Sequence, residues 1–228
     1  MEAYMDYSIL EKSSLFKNIP AKDLRLLLEE APHHIQCYDK GETIFHLMDP
    51  ASRIGIVLEG NVQAQKFFPN GSQVNVSIRR PGDLIGPAAV FSRSGRYPCD
   101  VVSLESSTIM MFRKEDVMAL MQKDVRILEN FTAEIASATY MLQQRLELFS
   151  YSGIAQKAAF YLLMQSLQTG KSKVRIPESV SRWAMVMNVS RPSLHRELKK
   201  LDSEGIISYA PPVIEILDPE RLQMVLSQ

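Results

Sequence analysis

Cysteine is scarce in this chain of 228 residues: Cys37 and Cys99 are the only two, and they form no CxxC unit. Without an export signal a structural disulfide is not expected, and two thiols alone do not hold a four-cysteine iron–sulfur cluster. The four histidines, His33, His34, His46 and His195, make no HExxH pattern, so no metal site is expected and they read as ordinary surface or part-buried residues. Haem needs only one or two axial ligands, so isolated His, Cys or Met residues leave it open. Long hydrophobic runs are also missing. The longest, Ala158 to Met164, is seven residues, against the roughly 20 of a membrane span. The opening MEAYMDYSIL carries acids and no basic segment, which argues against a secretory signal and for a cytoplasmic, membrane-free protein. Net charge is absent too, with 26 basic and 26 acidic residues. No nucleophile–base pair or glycine-rich phosphate loop appears, which argues against an enzyme.

What remains is a chain with 46% hydrophobic residues, enough for two small domains with real cores. Helices are expected at Ser8–Leu15 and near Ala21–Glu30. From His34 to Phe112 the period changes to two: Ile54, Ile56 and Leu58 alternate, as do Val74, Val76 and Ile78, and such runs predict half-buried strands. Turns are expected at Asp39-Lys40-Gly41, Glu59-Gly60-Asn61, Pro69-Asn70-Gly71 and Pro81-Gly82-Asp83. Short strands between regular turns predict an antiparallel sandwich or jelly roll able to hold a pocket. Lys114 to Phe149 contains no Gly or Pro and predicts one helix of about 54 Å. Val125, Leu128, Thr132, Ile135, Thr139, Leu142, Leu146 and Phe149 follow the spacing of a coiled-coil seam. Either the helix lies on its own barrel or, the favoured reading, it pairs with a second copy. Ser150 to Gly153 then makes a hinge.

The segment from Glu178 to Ile207 carries the most information. A first helix from Glu178 to Met187 buries Val180, Trp183, Ala184 and Met187, and Asn188 supplies a left-handed turn. Ser190 is a suitable N-cap and Pro192 is tolerated in a first turn. The second helix, to about Asp202, buries Leu194, Leu198 and Leu201 and shows Arg191, Ser193, His195, Arg196, Lys199 and Lys200 to solvent. Strands Ile206–Tyr209 and Val213–Leu217 flank Ala210-Pro211-Pro212, with Lys173–Ile176 as a third. From Lys171 to Lys200 there are eight Lys or Arg residues against two acids. A basic, hydroxyl-bearing helix face on a neutral protein suits the major groove of duplex DNA.

The order barrel, long helix, hinge, winged helix-turn-helix resembles the CRP/FNR family of bacterial transcription regulators. The likeness rests on Glu59-Gly60, Asn70-Gly71, the run Arg80 to Gly86, Ser152-Gly153-Ile154-Ala155-Gln156 and the run Val189 to Leu198. It spans nearly the whole chain and implies an α+β fold: a jelly-roll effector domain over residues 1–113, a dimerisation helix over 114–149 and a winged helix-turn-helix over 150–228. It also implies a homodimer reading a near-palindromic operator with recognition helices roughly 34 Å apart, and it allows RNA polymerase as a partner.

By the same resemblance, family members that bind cyclic AMP carry a Glu after the residue matching Gly86 and an Arg-Ser or Arg-Thr pair for the phosphate. Here those places hold Pro87, and Tyr97 with Pro98; Arg96 stands one place away. The cysteine cluster of the FNR branch is also missing. The effector implied is therefore not cyclic AMP, its identity is unknown, and a redox or haem-based gas sensor with the same DNA output is the alternative. The resemblance locates the effector site at Gly86, Pro87, Ala88 and Ala89, Arg96, Tyr97, Pro98 and Cys99, with Thr139 from the long helix. Arg96 as a solvated loop cation, and Thr139 as a residue the seam merely tolerates, are the plain alternatives. For DNA, Arg191 and Arg196 are expected at base edges, Ser193 and His195 at bases or phosphates, and Lys199 and Lys200 at backbone, beside the cap Ser190. Pro192, where relatives often carry Glu, cannot accept from cytosine, so a different operator is expected.

Overall fold

The computed structural model describes residues 7–67 and 73–227. Contacts divide the chain into two compact units, one ending at Ala138 and one beginning at Thr139.

The first unit opens with helices α1 (Tyr7–Lys12) and α2 (Ala21–Glu30), followed by strands β1 (His34–Tyr38), β2 (Thr43–Phe45), β3 (Arg53–Glu59), β4 (Val62–Phe67), β5 (Gln73–Arg79) and β6 (Leu84–Ile85). The helix α3 (Pro87–Phe91) precedes strands β7 (Asp100–Ser103) and β8 (Ser107–Arg113), after which come α4 (Lys114–Lys123) and α5 (Val125–Ser150). The strands form two antiparallel four-stranded sheets, in the orders β1-β8-β3-β6 and β2-β7-β4-β5, so the jelly roll expected from the turn spacing is present. The turn at Pro69-Asn70-Gly71 lies outside the described residues.

The period-two reading of β3 understates its burial. Ile54, Gly55, Ile56 and Val57 are all buried, because β3 is an inner strand with α3 packed against it, and Phe16, between α1 and α2, lies over the neighbouring strand β8. Ile54 pairs with Phe112, whose ring meets Phe16 edge-on at 6.3 Å. Burial on both faces erases alternation and leaves a continuous apolar run.

The run from Lys114 to Phe149 is not one helix. α4 ends at Lys123, and Asp124 adopts an extended backbone (φ −137°, ψ 112°). Its carboxylate accepts from the Arg126 backbone N–H at 2.9 Å and from the Arg126 guanidinium at 2.7 Å, which starts a new helix at Val125. An aspartate that satisfies the first-turn donors ends one helix and begins the next without any Gly or Pro. Arg126 also reaches Asp23 of α2 at 3.0 Å, so the junction is tied to the N-terminal helices. α5 has 26 residues, about 39 Å at the usual rise.

In the second unit, α6 (Ile154–Thr169) is followed by β9 (Lys173–Arg175), α7 (Val180–Val186), α8 (Arg191–Ser203), β10 (Ile207–Ala210), β11 (Val213–Ile216) and α9 (Pro219–Met224). The Gly153 N–H donates to the side-chain carbonyl of Gln156 at 2.9 Å, fixing the start of α6 at the expected hinge. The three strands pair antiparallel in the order β10-β11-β9. A core centred on Trp183, Leu194, Leu198, Ile207 and Ile214, each at most 1% exposed, joins α6, α7, α8 and the sheet.

Candidate functional site

The second unit realises the helix-turn-helix in detail. The Ser179 hydroxyl accepts from the Arg182 N–H at 3.1 Å and caps α7. Asn188 turns the chain in the left-handed region at φ 53°, a conformation asparagine tolerates. The Ser190 hydroxyl accepts from the Ser193 N–H at 3.2 Å and caps α8, and Pro192 sits in the first turn. Leu194, Leu198 and Leu201 are buried. Arg191, His195, Arg196, Lys199 and Lys200 are exposed, while Ser193 is half-buried, its oxygen 2.8 Å from that of Ser190.

These side chains divide by what they touch. His195 Nδ1 is hydrogen-bonded to the Tyr209 hydroxyl at 3.0 Å, and the two rings meet edge-on. The Lys199 ammonium lies 5.4 Å from the Tyr209 ring centroid and 3.5 Å from the Asp202 carboxylate. Asp202 in turn accepts from the Tyr209 N–H at 2.9 Å. Burial pushes the Tyr209 phenol above its ordinary pKa. The Asp202 carboxyl is held below its ordinary value, first by the Tyr209 N–H and then by Lys199. His195 and Lys199 therefore clamp α8 to β10 of the wing. Arg196 is 77% exposed and stands 3.9 Å from Glu197, a distance at which an exposed pair is weak. The Arg191 and Lys200 side chains make no hydrogen bond or ion pair among the described residues, although the Arg191 charge is felt at the Tyr209 phenol. The cations left to meet a ligand at α8 are thus Arg191, Arg196 and Lys200.

In the first unit, Gly86 is left-handed at φ 79° and heads α3. A Cβ there would come within 3.1 Å of the Phe45 ring, 3.2 Å of the Tyr97 ring and 3.2 Å of the Arg53 carbonyl, so glycine is required on both counts. Tyr97 is 5% exposed and stacks on Phe45 with ring centroids 4.2 Å apart. Its hydroxyl donates to the Arg53 carbonyl at 2.8 Å and accepts from the Arg53 N–H at 3.2 Å. Arg96 is exposed, and its guanidinium donates to the Met48 carbonyl at 2.7 Å. Ala89 is buried, Pro87 and Cys99 are half-buried, and Ala88 and Pro98 are exposed. Burial raises the Cys99 thiol above its ordinary pKa, and Asp100 adds to this; Cys37 is exposed. The structure thus brings Gly86 and Tyr97 together around Phe45, which sequence reasoning missed. Phe45 lies in a three-residue strand whose alternation is too short to read. Thr139 is exposed on α5 and begins the second unit.

Two family models match the chain: the cyclic nucleotide-binding domain over residues 35–124 and the Crp-like helix-turn-helix domain over residues 156–225. The cyclic AMP receptor protein of Thermus thermophilus is 22% identical over 95% of this chain and 98% of its own length. The nitrogen fixation regulation protein FixK of Bradyrhizobium diazoefficiens is 23% identical over 82% of this chain and 79% of its own length. Among solved structures, the Thermus thermophilus catabolite activator protein matches with a TM-score of 0.56 at 22% identity, covering 94% of this chain and 99% of that one. FixK2 from Bradyrhizobium japonicum matches with a TM-score of 0.51 at 17% identity, covering 85% of this chain and 97% of that one. These structural likenesses bear on the fold, which is theirs. With a cyclic nucleotide-binding barrel, a Crp-like helix-turn-helix and relatives that are regulators rather than enzymes, the chain belongs to the CRP/FNR family of transcription regulators.

Proposed function

We propose that this regulator acts as a homodimer on a near-palindromic duplex, under control of a small-molecule effector other than cyclic AMP. Residues 1–113 sense, the α5 part of 114–149 pairs the two copies, and 150–228 read DNA. The observation that carries the reading is the capped helix α8, which offers Arg191, Arg196 and Lys200 unclamped while His195 and Lys199 are spent on the wing. An α-helix with free guanidinium groups at its N-terminal end fits the major groove, where Arg pairs bidentately with guanine. The exposed apolar row of α5, including Leu142 at 59% and Leu146 at 63%, supports pairing.

The barrel argues against an anionic cyclic phosphate at the rim from Gly86 to Ala89 and Arg96 to Cys99. The Tyr97 hydroxyl already satisfies the Arg53 backbone, Pro98 has no N–H, and the Arg96 guanidinium is engaged at Met48. At this rim an anion would have to draw its charge-assisted contact from Arg96, which is turned to the Met48 carbonyl, without a hydroxyl donor from Tyr97 or a backbone N–H from Pro98 beside it. An effector of another kind acts by binding the DNA-competent arrangement better than the other, since only differential affinity shifts a population.

Selection of random duplex DNA on the purified chain, with and without cyclic AMP, tests this. A two-fold symmetric motif whose recovery is unchanged by cyclic AMP is the expected outcome. An asymmetric motif would overturn the symmetric dimer, and a motif appearing only with cyclic AMP would overturn the effector assignment.

A further inference from the structure

Tyr38, Ile44, Phe45, Asp49, Arg53 and Tyr97 are among the residues that line a cavity of about 310 Å³ in the barrel. Of the effector rim described above, only Tyr97 lines it. Its floor is apolar and sealed: Ile44, Phe45 and Met111 are 9%, 6% and 1% exposed. Its rim is charged and open to solvent. Arg53 and Asp49 are exposed, and neither side chain makes a hydrogen bond or ion pair among the described residues, nor does the Tyr38 hydroxyl. The Arg53 main chain is anchored, because both its backbone N–H and its carbonyl are bonded to the Tyr97 hydroxyl, and its guanidinium is close enough to the Tyr38 phenol to act on it electrostatically. An exposed guanidinium that no carboxylate pairs, next to a phenol and at the mouth of an open pocket with an apolar floor, offers a site for a carboxylate. A carboxylate on the same mouth asks for a cation as well, and one small molecule satisfies both when it carries an ammonium and a carboxylate on the same carbon.

We propose that this cavity binds a free α-amino acid with an apolar side chain. Its carboxylate meets Arg53 and the Tyr38 hydroxyl, its ammonium meets Asp49, and its side chain lies against Ile44, Phe45 and Met111. Burial raises the Tyr38 phenol above its ordinary pKa, so the phenol stays protonated and able to donate. The cavity volume sits at the small end of the range for ligand sites, roughly 300–1,000 Å³, which favours a single amino acid over a larger ligand. The site rests on the barrel alone, so it stands or falls independently of the DNA reading.

Calorimetric titration of the full chain without DNA tests it, using L-phenylalanine, L-leucine and L-methionine, with glycine, 3-phenylpropanoate and 2-phenylethylamine as controls. The expected result is saturable binding of L-phenylalanine and at least one other apolar amino acid, one per chain, with no heat from glycine. Losing either charge of the ligand is expected to weaken binding roughly tenfold or more, as are Arg53→Met and Asp49→Asn. Arg53→Gln repeats the test with a polar end at the same rim, and the melting temperature of each unliganded variant reports folding. No heat from any apolar amino acid at millimolar concentration would overturn the proposal. So would binding that the folded Arg53 and Asp49 variants leave unchanged, or 3-phenylpropanoate binding as tightly as L-phenylalanine.

Discussion

Arg191 and His195 stand one helical turn apart on α8, yet the structure gives them different work. The Arg191 side chain is exposed and makes no hydrogen bond or ion pair among the described residues, whereas His195 is hydrogen-bonded to Tyr209. Arg191→Ala is therefore expected to cost about 1–3 kcal/mol at the operator and to relax specificity at one base position. Equal loss on operator and random DNA, in a fluorescence-anisotropy comparison, would make Arg191 a phosphate contact instead. The exposed row on α8 was legible from Leu194, Leu198 and Leu201, whose spacing fixes the buried face. The clamping of His195 and Lys199 was not. Their common partner Tyr209 lies across the hairpin, and no helical periodicity reports a contact with another element. The same limit hid Phe45 behind Tyr97 in the barrel.

At the scale of elements, α8 and β10 are locked by Asp202, which accepts from the Tyr209 N–H and faces Lys199. Folding lowers the Asp202 pKa below its ordinary 3.8, so the folded state takes up this proton less readily than the unfolded chain. Its contribution is complete above the unfolded value and disappears as pH falls through the folded one. Trp183, the single tryptophan and fully buried in the core of the second unit, gives a local readout. Guanidinium unfolding followed by its fluorescence is expected to show stability falling below about pH 4, with a shallower fall in Asp202→Asn. An identical pH slope in the two proteins would mean that the Asp202 charge does not help to hold the wing. Asp124 carries the same sign at the α4–α5 junction, where the Arg126 guanidinium lowers its pKa. That junction was illegible as a break because a single Asp, with no Gly or Pro beside it, is tolerated inside a helix as well as at its start. Only its hydrogen bonds to Arg126, and the tie from Arg126 to Asp23, set the boundary.

At the scale of the molecule, the proposed dimer accounts for apolar surface that one chain leaves in water. Val125, Leu128, Leu142, Leu146 and Phe149 are between 45% and 63% exposed, while Ile135, in the same heptad register, packs against the core of the first unit. Spacing alone revealed the register, but it could not reveal that one member turns inward, since a helix lying on its own barrel and a helix paired with a copy share the same period. The two roles separate on mutation. Leu142→Glu combined with Leu146→Glu removes a face that a lone chain does not bury, so the folding stability of each unit is expected to change by no more than about 0.5 kcal/mol. Sedimentation velocity is expected to show a monomer, because two buried carboxylates at a coiled-coil seam repel and lack partners. Affinity for a symmetric operator should then fall roughly 10²–10⁴-fold, the loss of linked binding by two modules, while affinity for a half-site stays within a factor of about two. A dimer that survives both substitutions would move the pairing surface off this row and leave its exposed leucines without a partner.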